Sequence, residues 1–426
     1  MRSATVLASV LLLASRAWAS EDLSAGDTAW MLASTALVML MGPGLALFYG
    51  GMVRRKNVLA TLMHTFVILC VVSVVWVLWG YTLAFGPDRW GLIGSLRWLG
   101  LKGVGQGPSG YAPTVPHLVF MAFQGMFAVI TPALVTGAFA ERMRFSAVVL
   151  FAALWATVVY SPVAHWLWGG GWLSNLGALD FAGGTVVHIN SAVAALMAAL
   201  VVGRRRGFPK EPMPPHNLPM TVLGAGLLWF GWFGFNAGSA LASGGLATLA
   251  FVNTNTAAAS AALGWALAER LQRGKPTALG LVSGAVAGLV AITPAAGFVS
   301  PLASVPIGAV AGLLCYLAVG LKHRLGYDDS LDVLGIHGVG GLWGALATGL
   351  FARLTLNPAG ADGLLMGNPS LLLRQALASG AVVLYSALAT WAVLKAVGLV
   401  VGLRVSEEHE VVGLDLSQHG ESGYHF

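Results

Sequence analysis

Long apolar segments alternate with short polar ones along almost the whole chain. We find eleven runs of about 20 mainly apolar residues, each long enough to cross ~30 Å of hydrocarbon as a helix. The pattern predicts an all-α polytopic membrane protein with eleven transmembrane helices. The runs lie near 28–53, 58–85, 116–140, 145–164, 181–203, 218–239, 246–268, 277–297, 302–321, 334–352 and 370–398.

Basic residues are distributed unevenly between the loops that join these runs. If the first run begins outside, sixteen Lys and Arg lie in inner loops and the tail, among them Arg54, Arg55 and Lys56, and five lie in outer loops. Cytoplasmic loops of membrane proteins carry an excess of Lys and Arg. The distribution therefore predicts a mature N-terminus outside and a C-terminus inside, which requires an odd number of spans.

The first 19 residues precede the long apolar runs and have a pattern of their own. It has Arg2, an apolar stretch over 6–14, and Ala17-Trp18-Ala19 as a small-x-small cleavage site. This is the anatomy of a secretory signal peptide. We therefore expect residues 1–19 to be a signal peptide, 20–401 to be the transmembrane domain and 402–426 to be a cytoplasmic tail.

Composition supports a membrane protein and disfavours other classes. Hydrophobic residues make up 57% of the chain and charged residues 9%, against roughly 25% charged residues in soluble domains. Topology explains the formal charge of +6, so no nucleic-acid partner is expected. Cys70 and Cys315 lie in separate apolar runs and suggest neither a disulfide framework nor a cysteine metal site. No metal-ligand spacing or activated nucleophile accompanies the Asp and His residues of the apolar runs, which disfavours a membrane enzyme. We expect no metal, no cofactor and no enzymatic activity.

Two histidines stand well inside apolar runs at related positions. His188 follows Asp180 in the fifth run, and His337 follows Asp332 in the tenth. The fifth run enters from outside and the tenth from inside, as expected for two five-helix halves of inverted topology followed by a final helix. A buried histidine is often only a core residue bonded to its neighbours, and we keep that interpretation for His64. Ionisable groups inside a membrane more often mark a solute or proton path, and we favour that interpretation for the pair.

Seven stretches in order along the chain resemble the ammonium transporter (Amt/Mep/Rh) family, bacterial Amt type. The resemblance runs from about residue 28 to the tail. Met126 departs from the smaller residue that relatives often carry beside the pore gate. The stretches are MGPGLALFYGGMVRRKNVL (41–59), FQGMFAVITPALVTGAFAERMRF (123–145), AHWLWGGGW (164–172), LDFAGGTVVHIN (179–190), GWFGFNAGS (231–239), FVNTNTAAA (251–259) and DVLGIHGVGG (332–341).

The resemblance implies specific roles for residues of this chain. It implies an outer cation-binding site with Phe123 nearby, a stacked aromatic gate, and a pore with twin histidines. Asp180 resembles an acidic residue that orders the outer site, and it could also cap the fifth helix. The implied residues are Phe127, Trp168 and Ser239 for binding, Phe127 and Phe235 for the gate, and Trp232, His188 and His337 for the pore.

The resemblance also implies an activity and partners. It implies capture of ammonium, loss of a proton, and conduction of ammonia past the histidines, with methylammonium as a candidate second substrate. We favour separate proton transfer, which makes transport electrogenic. An electroneutral Rh-like gas channel and a membrane ammonium sensor remain alternatives; the sensor is disfavoured because only about 25 residues follow the last run. A homotrimer in the bacterial inner membrane and a PII signalling protein at its cytoplasmic face are also implied.

Overall fold

The computed structural model describes residues 23–424, and its architecture is helical. The signal peptide predicted at 1–19 lies outside the described residues. A helix is present in each of the eleven predicted segments. The main helices are α1 Ala25–Met52, α2 Val58–Val75, α3 His117–Phe139, α4 Phe145–Trp155, α5 Asn190–Val202, α6 Leu218–Gly238, α7 Gly245–Arg273, α8 Ala278–Ile292, α9 Pro301–Leu325, α10 Val339–Phe351 and α11 Pro369–Val401.

Four of these segments contain a π-helical turn. The turns Trp76–Gly80 and Ala156–Tyr160 follow α2 and α4 and lead into short further helices. The turns Gly184–Ile189 and Leu334–Gly338 precede α5 and α10. Single π-helical turns inside α-helices are often found at functional sites. The last two turns carry His188 and His337.

The protein is a multi-pass membrane protein by the length and character of its helices. Within residues 23–424, nine helices are long and apolar enough to cross a membrane. The other two segments do not meet these requirements. Helix α8 has only 15 residues, and the long helix α7 contains the polar residues 253–256. The number of crossings predicted from the sequence, eleven, therefore stays a prediction.

The sequence predicts two halves, α1–α5 and α6–α10, and the inverted repeat between them stays a prediction. The first helices of the halves, α1 and α6, pack along each other. Within the halves, α3 packs against α5 and α8 packs against α10. The π-helical turns before α5 and α10 also touch, and α11 packs against both of those helices. The two histidine-bearing segments therefore meet at the junction of the halves.

One end of the bundle carries two small antiparallel hairpins, and we call it the hairpin face. The first hairpin pairs β1 Asp88–Arg89 with β2 Ile93–Gly94, and the second pairs β3 Pro108–Ser109 with β4 Ala112–Pro116. Asp88 accepts a hydrogen bond from His165 at 2.8 Å, which ties the first hairpin to the helix that carries Trp168. That hydrogen bond holds the pKa of the Asp88 carboxyl below its usual range.

The opposite end carries the C-terminal tail, and we call it the tail face. The tail forms α12 Glu407–Val412 and α13 Leu414–His419. Asp415 Oδ1 accepts from the backbone N–H of Ala60 at 2.8 Å, at the start of α2. Lys56 Nζ donates to two tail carbonyls, and Arg206 donates its backbone N–H to Glu410. The tail is therefore bonded to two separate loops of the bundle.

A buried ionic cluster joins the loops of the tail face. Arg205 Nη2 lies 2.8 Å from Asp328 Oδ1, and its Nη1 lies 3.3 Å from Glu141 Oε2. Arg54 also pairs with Glu141, at 2.8 Å. Burial acts to raise the pKa of Glu141, but Arg205 and Arg54 outweigh it and hold the pKa below its usual value. The same competition between burial and Arg205 lowers the pKa of Asp328.

We predict that Glu141→Gln lowers the free energy of unfolding by as much as about 3–5 kcal/mol, because it removes one of the two carboxylates that compensate the charge of buried Arg205. The measurement is thermal unfolding of the purified protein in detergent. The pKa of Glu141 is lower in the folded protein, so its stabilisation is full at neutral pH. That stabilisation is lost as the pH falls from about 4.3 through the lowered pKa.

The matched control is Glu407→Gln, since Glu407 pairs with Arg206 at 3.5 Å while its side chain is 75% exposed. Exposed pairs contribute about 0–1 kcal/mol. Equal losses of stability in the two variants would contradict the role assigned to the buried cluster.

Candidate functional site

The two histidines predicted to form a pair do meet in the centre of the bundle. His337 Nδ1 lies 3.2 Å from His188 Nδ1, and the ring centroids are 5.2 Å apart. The rings are nearly parallel, at 27°, and both residues are buried. His64 takes no part: it lies between the rings of Phe139 and Phe145.

The contact between two Nδ1 atoms has a chemical consequence. One neutral ring must donate an N–H, and the other must accept it. The donor ring then has a bare Nε2 acceptor, while the acceptor ring carries its proton on Nε2. Among the described residues nothing bonds to His188 Nε2. The pair therefore presents one acceptor and one donor away from their shared bond. The two are exchanged when a proton arrives at the bare Nε2, the shared proton crosses to the other ring, and that ring releases the proton on its own Nε2.

Asp180 fixes the segment that carries His188. Its two carboxylate oxygens accept four backbone N–H bonds, from residues 183 to 186, at 2.7–3.0 Å. These are the unpaired donors at the start of a helix, where a negative charge is also favourable. Gly183 has φ 114°, and a Cβ on Gly184 would collide with the ring of Pro294. Both glycines are therefore required for the chain to turn tightly beneath the carboxylate.

The second half uses a different acid from the one the sequence pattern singled out. We paired Asp332 with Asp180, and this was wrong: Asp332 forms an ion pair with Lys322 and has φ 63°. Asp329 is the buried acid that accepts a backbone N–H, from Leu334 at 2.7 Å. Asp329 precedes His337 by the same eight residues that separate Asp180 from His188. Equal spacing was the signal that could have identified it.

The histidine pair borders a narrow apolar cavity. The cavity measures about 10 Å³, room for roughly one water-sized molecule. Apart from the histidines, its wall has one polar atom able to donate, Trp232 Nε1, and this atom donates to Thr293 at 2.9 Å. The wall consists of Met41, Leu45, Phe48, Ile130, Leu134, Val187, His188, Leu228, Trp232, Phe235, Val286 and His337.

Two phenyl rings close the cavity on the side of the hairpin face. The ring centroids of Phe127 and Phe235 are 4.4 Å apart, and both residues are buried. Phe235 also stacks over His188, at 6.0 Å and 21°, and Trp232 stacks over it at 5.4 Å and 24°. The rings predicted for the gate and the pore thus lie in contact in one continuous cluster, in which the two phenyl rings are tilted by 41° and not stacked on each other.

A wider vestibule lies beyond this gate, open toward the hairpin face. It measures about 260 Å³, and its wall includes Phe127, Trp168 and Ser239. The Trp168 ring stands nearly perpendicular to Phe127, at 5.7 Å, and its Nε1 donates to Asp180 O at 2.9 Å. Phe123 is absent from the wall and packs edge-on behind Phe127, with ring centroids 5.0 Å apart.

The hydroxyl of Ser239 is oriented by its backbone. Ser239 Oγ donates its proton to Phe235 O at 2.8 Å. Its lone pairs are thereby free to accept from a molecule in the vestibule. Sequence reasoning missed another polar member of the same wall, Gln124. Gln124 stands three residues before Phe127, and helical periodicity could have placed it on the same face.

Comparison with known proteins identifies the family of this chain. The chain belongs to the Ammonium Transporter Family, whose model matches residues 29–424. This is a family of membrane transporters. The chain is 57% identical over 400 residues to the ammonium transporter of Bacillus subtilis, covering 94% of this chain and 98% of that one.

Solved structures of similar proteins have the same fold as this chain. The crystal structure of Candida albicans Mep2 has a TM-score of 0.87 at 41% identity, and the match covers 95% of this chain and 91% of that one. A structure titled Sensor Amt Protein has a TM-score of 0.85 at 31% identity, covering 92% and 98%. The chain therefore shares its fold with Mep2 and with a protein whose title describes it as a sensor.

We predict that Asp180→Ala lowers the free energy of unfolding by about 3 kcal/mol or more and abolishes transport, because it leaves several buried backbone donors unsatisfied. The measurements are thermal unfolding and ammonium uptake. Asp362→Ala is the control, since Asp362 accepts one backbone bond, from Leu354, near the surface. A variant of Asp180 with full stability and lost transport would show that the carboxylate acts on the solute instead.

Proposed function

We propose that the protein captures ammonium in the vestibule, removes a proton from it and conducts ammonia past the histidine pair. A separate transfer of the proton then makes transport electrogenic. The observation that carries this proposal is the pair His188 and His337 in a narrow apolar cavity closed by two phenyl rings in contact. In this proposal Phe127, Trp168 and Ser239 bind the cation.

Capture is favoured by what the vestibule offers a small cation. The faces of aromatic rings attract cations, at about 2 kcal/mol or more each when desolvated. Ser239 adds an acceptor whose own proton is already engaged with Phe235. The carboxylate of Asp180 is occupied by four backbone donors, so it contributes electrostatic attraction without holding the cation directly.

The apolar cavity decides which species crosses. Moving a full charge into low dielectric costs on the order of 20 kcal/mol by the Born estimate. Removing a proton from an amine of pKa ~10.4 at pH 7 costs roughly 4–5 kcal/mol. Deprotonation is therefore the cheaper route, and a potassium ion, which has no proton to lose, is rejected.

The histidine pair suits both the ammonia and the proton. A bare Nε2 accepts an N–H from ammonia, and the protonated Nε2 of the other ring donates to its lone pair. When the bare Nε2 takes up the proton released by ammonium, the shared proton crosses between the two Nδ1 atoms and the Nε2 of the other ring releases its proton, so that one proton passes the pair. We propose that this exchange carries the proton separately, so that one net charge accompanies each ammonia.

We further propose how the protein sits in its membrane. The hairpin face lies outside and the basic tail face lies inside, because Lys and Arg are concentrated there. Segments α7 and α8 complete eleven crossings, arranged as five, five and one. Residues 20–401 form the transmembrane domain of a homotrimer in the bacterial inner membrane, and a PII signalling protein is a candidate partner for the tail face.

We predict that replacing both His188 and His337 by Ala abolishes selective ammonium current, because the cavity loses its only paired donor and acceptor. The measurement is solid-supported-membrane electrophysiology on protein in liposomes, with ammonium and potassium pulses. The control is His64→Ala, a buried histidine away from the cavity. Normal current with unchanged preference for ammonium over potassium in the double variant would contradict the relay.

Electrophysiology of the unmodified protein distinguishes an electrogenic transporter from a gas channel and from a sensor. A charge transient with ammonium alone supports the electrogenic transporter. Measurable ammonia flux without a transient would indicate an electroneutral gas channel. Binding without flux or current would indicate a sensor.

We predict that Trp168→Leu raises the half-saturating concentration of methylammonium about tenfold, because one ring face is lost from the capture site. A concentration series of uptake measures this shift. Trp391→Leu is the control, since Trp391 is 48% exposed on α11. An unchanged half-saturating concentration in Trp168→Leu would show that capture does not use that ring.

A further inference from the structure

A second, larger vestibule lies toward the tail face, and we call it the inner vestibule. It measures about 580 Å³. Three segments that line the histidine cavity also line this vestibule, one or two helical turns farther on. Helix α1 contributes Phe48 to the cavity and Met52 to the vestibule, and the segment before α10 contributes His337 and then Asp332. Helix α8 continues from one wall to the other in the same way. The inner vestibule is therefore the tail-face end of the path that passes the histidine pair.

A lysine places an ammonium group in the wall of the inner vestibule. Lys322 lies in the last turn of α9, and its side chain is 10% exposed. Its Nζ atom forms an ion pair with Asp332 Oδ1 and donates to the carbonyl oxygen of Asp329 at 3.1 Å. Lysine is almost never buried to this extent unless it is paired. A carboxylate and a carbonyl thus hold a primary ammonium group at the end of the path.

The partner of this lysine is held in place by an unusual backbone. Asp332 has φ 63°, in the left-handed region that residues other than glycine rarely adopt. Strained backbone of this kind is concentrated at functional sites. The side chain of Asp332 is 26% exposed, whereas that of Lys322 is 10% exposed. The carboxylate is therefore the more accessible partner of the pair.

The other charged groups of this wall do not take the place of Asp332. Among the described residues the wall contains one further carboxylate, Glu211, which belongs to an exposed part of the loop 203–217. Arg205 is already paired with Asp328 and Glu141. Asp332 is the carboxylate on the segment that carries His337, five residues farther on. A cation that forms beside the histidine pair and moves toward the tail face would pass this carboxylate.

The side chain of lysine and the ammonium ion have the same binding chemistry. Each is a compact cation that donates N–H bonds and accepts none. A carboxylate without its lysine would hold ammonium by charge and by a charge-assisted hydrogen bond. Retention of this kind would slow the departure of the transported solute. A carboxylate already paired with a lysine attracts a second cation much less.

We propose that Lys322 occupies Asp332 as a built-in ammonium group, and that it thereby keeps the inner vestibule from retaining the ammonium formed when ammonia leaves the histidine pair and takes up a proton. This inference rests on the proposed function. Lys322 acts through Asp332 and does not touch the transported solute, so it is a positioning residue.

The test replaces Lys322 by Met, which keeps an unbranched side chain and leaves Asp332 without its cation. Right-side-out membrane vesicles containing the full-length protein are loaded with ammonium over a concentration series, and the initial entry of labelled methylammonium is measured. In Lys322→Met we expect the internal ammonium concentration that halves entry to fall about tenfold, the effect of one charge-assisted hydrogen bond. An unchanged concentration would overturn the role of Lys322.

A double variant distinguishes this role from a structural one. Replacing Asp332 by Asn as well as Lys322 by Met removes the carboxylate on which the retained ion would bind. We therefore expect the half-inhibiting concentration of the double variant to return to within about twofold of the value for the unmodified protein. A structural defect would not be relieved by a second substitution. Persistence of the tenfold fall in the double variant would overturn the proposal.

Lys210→Met is the matched control, since Lys210 is exposed in the same wall and its loss removes the same charge. It should match the unmodified protein, and an equal fall would show a general effect of charge instead. In everted vesicles the loaded ammonium acts on the hairpin face, and there Lys322→Met should cause no fall. A fall there would contradict the placement of Lys322 at the inner end.

Lys322→Gln decides the matter if Lys322→Met does not reach the membrane. It retains an N–H donor for the carbonyl of Asp329 and removes the positive charge, so we expect the half-inhibiting concentration to fall severalfold. Sensitivity equal to that of the unmodified protein would overturn the proposal. Absence of selective ammonium entry in the unmodified protein would instead overturn the proposed function. Normal entry there with unchanged inhibition in the Lys322 variants would overturn only the role of Lys322.

Discussion

The whole site depends on the hydrogen bonds that the Asp180 carboxylate accepts at the start of a helix. Asp180 satisfies four backbone donors at once, and a single side chain thereby fixes the path of the chain just before His188. The carbonyl of the same residue accepts from Trp168. One residue consequently sets both the ring at the vestibule and the imidazole in the cavity. The distance between the vestibule and the histidine pair is therefore fixed by the local backbone.

The polar side chains that line the vestibule and the cavity use their hydrogen-bond donors within the protein. Donors that face the path are turned toward the protein: Ser239 to Phe235, Trp168 to Asp180 and Trp232 to Thr293. What remains exposed to a solute is chiefly ring faces and lone pairs. Such a lining favours a cation or an N–H donor and gives little to an anion. The histidines are the exception, because a pair of rings sharing one proton must offer a donor as well as an acceptor.

Much of this arrangement could be predicted from the sequence, because membrane crossing forces apolar runs and the runs fix the order of helices. His188 and His337 stood out since ionisable residues are expensive in lipid. The family resemblance supplied Phe127, Trp168, Ser239 and Phe235, which periodicity alone does not distinguish from packing aromatics. The π-helical turns and the role of Asp329 were not predicted. Both depend on backbone bonding that residue type does not reveal.

The vestibule shows a further reason for incomplete prediction. Gln124 lies on a mainly apolar helix, and its place in the vestibule wall depends on how the neighbouring helices pack. Leu241, with φ 58°, lines the same vestibule although residue type gives no hint of a left-handed backbone. The packing of neighbouring segments determines which residues line the vestibule, and residue type alone does not.

The π-helical turns at His188 and His337 carry a consequence for the tolerance of the chain to change in length. Such a turn accommodates one residue more than an α-helical turn. Loss of a single residue from 184–189 would restore regular winding and swing the imidazole about 100° around the helix axis. The spacing between the acid and the histidine is therefore as much a part of the site as the identities of the two residues, and each half keeps it at eight.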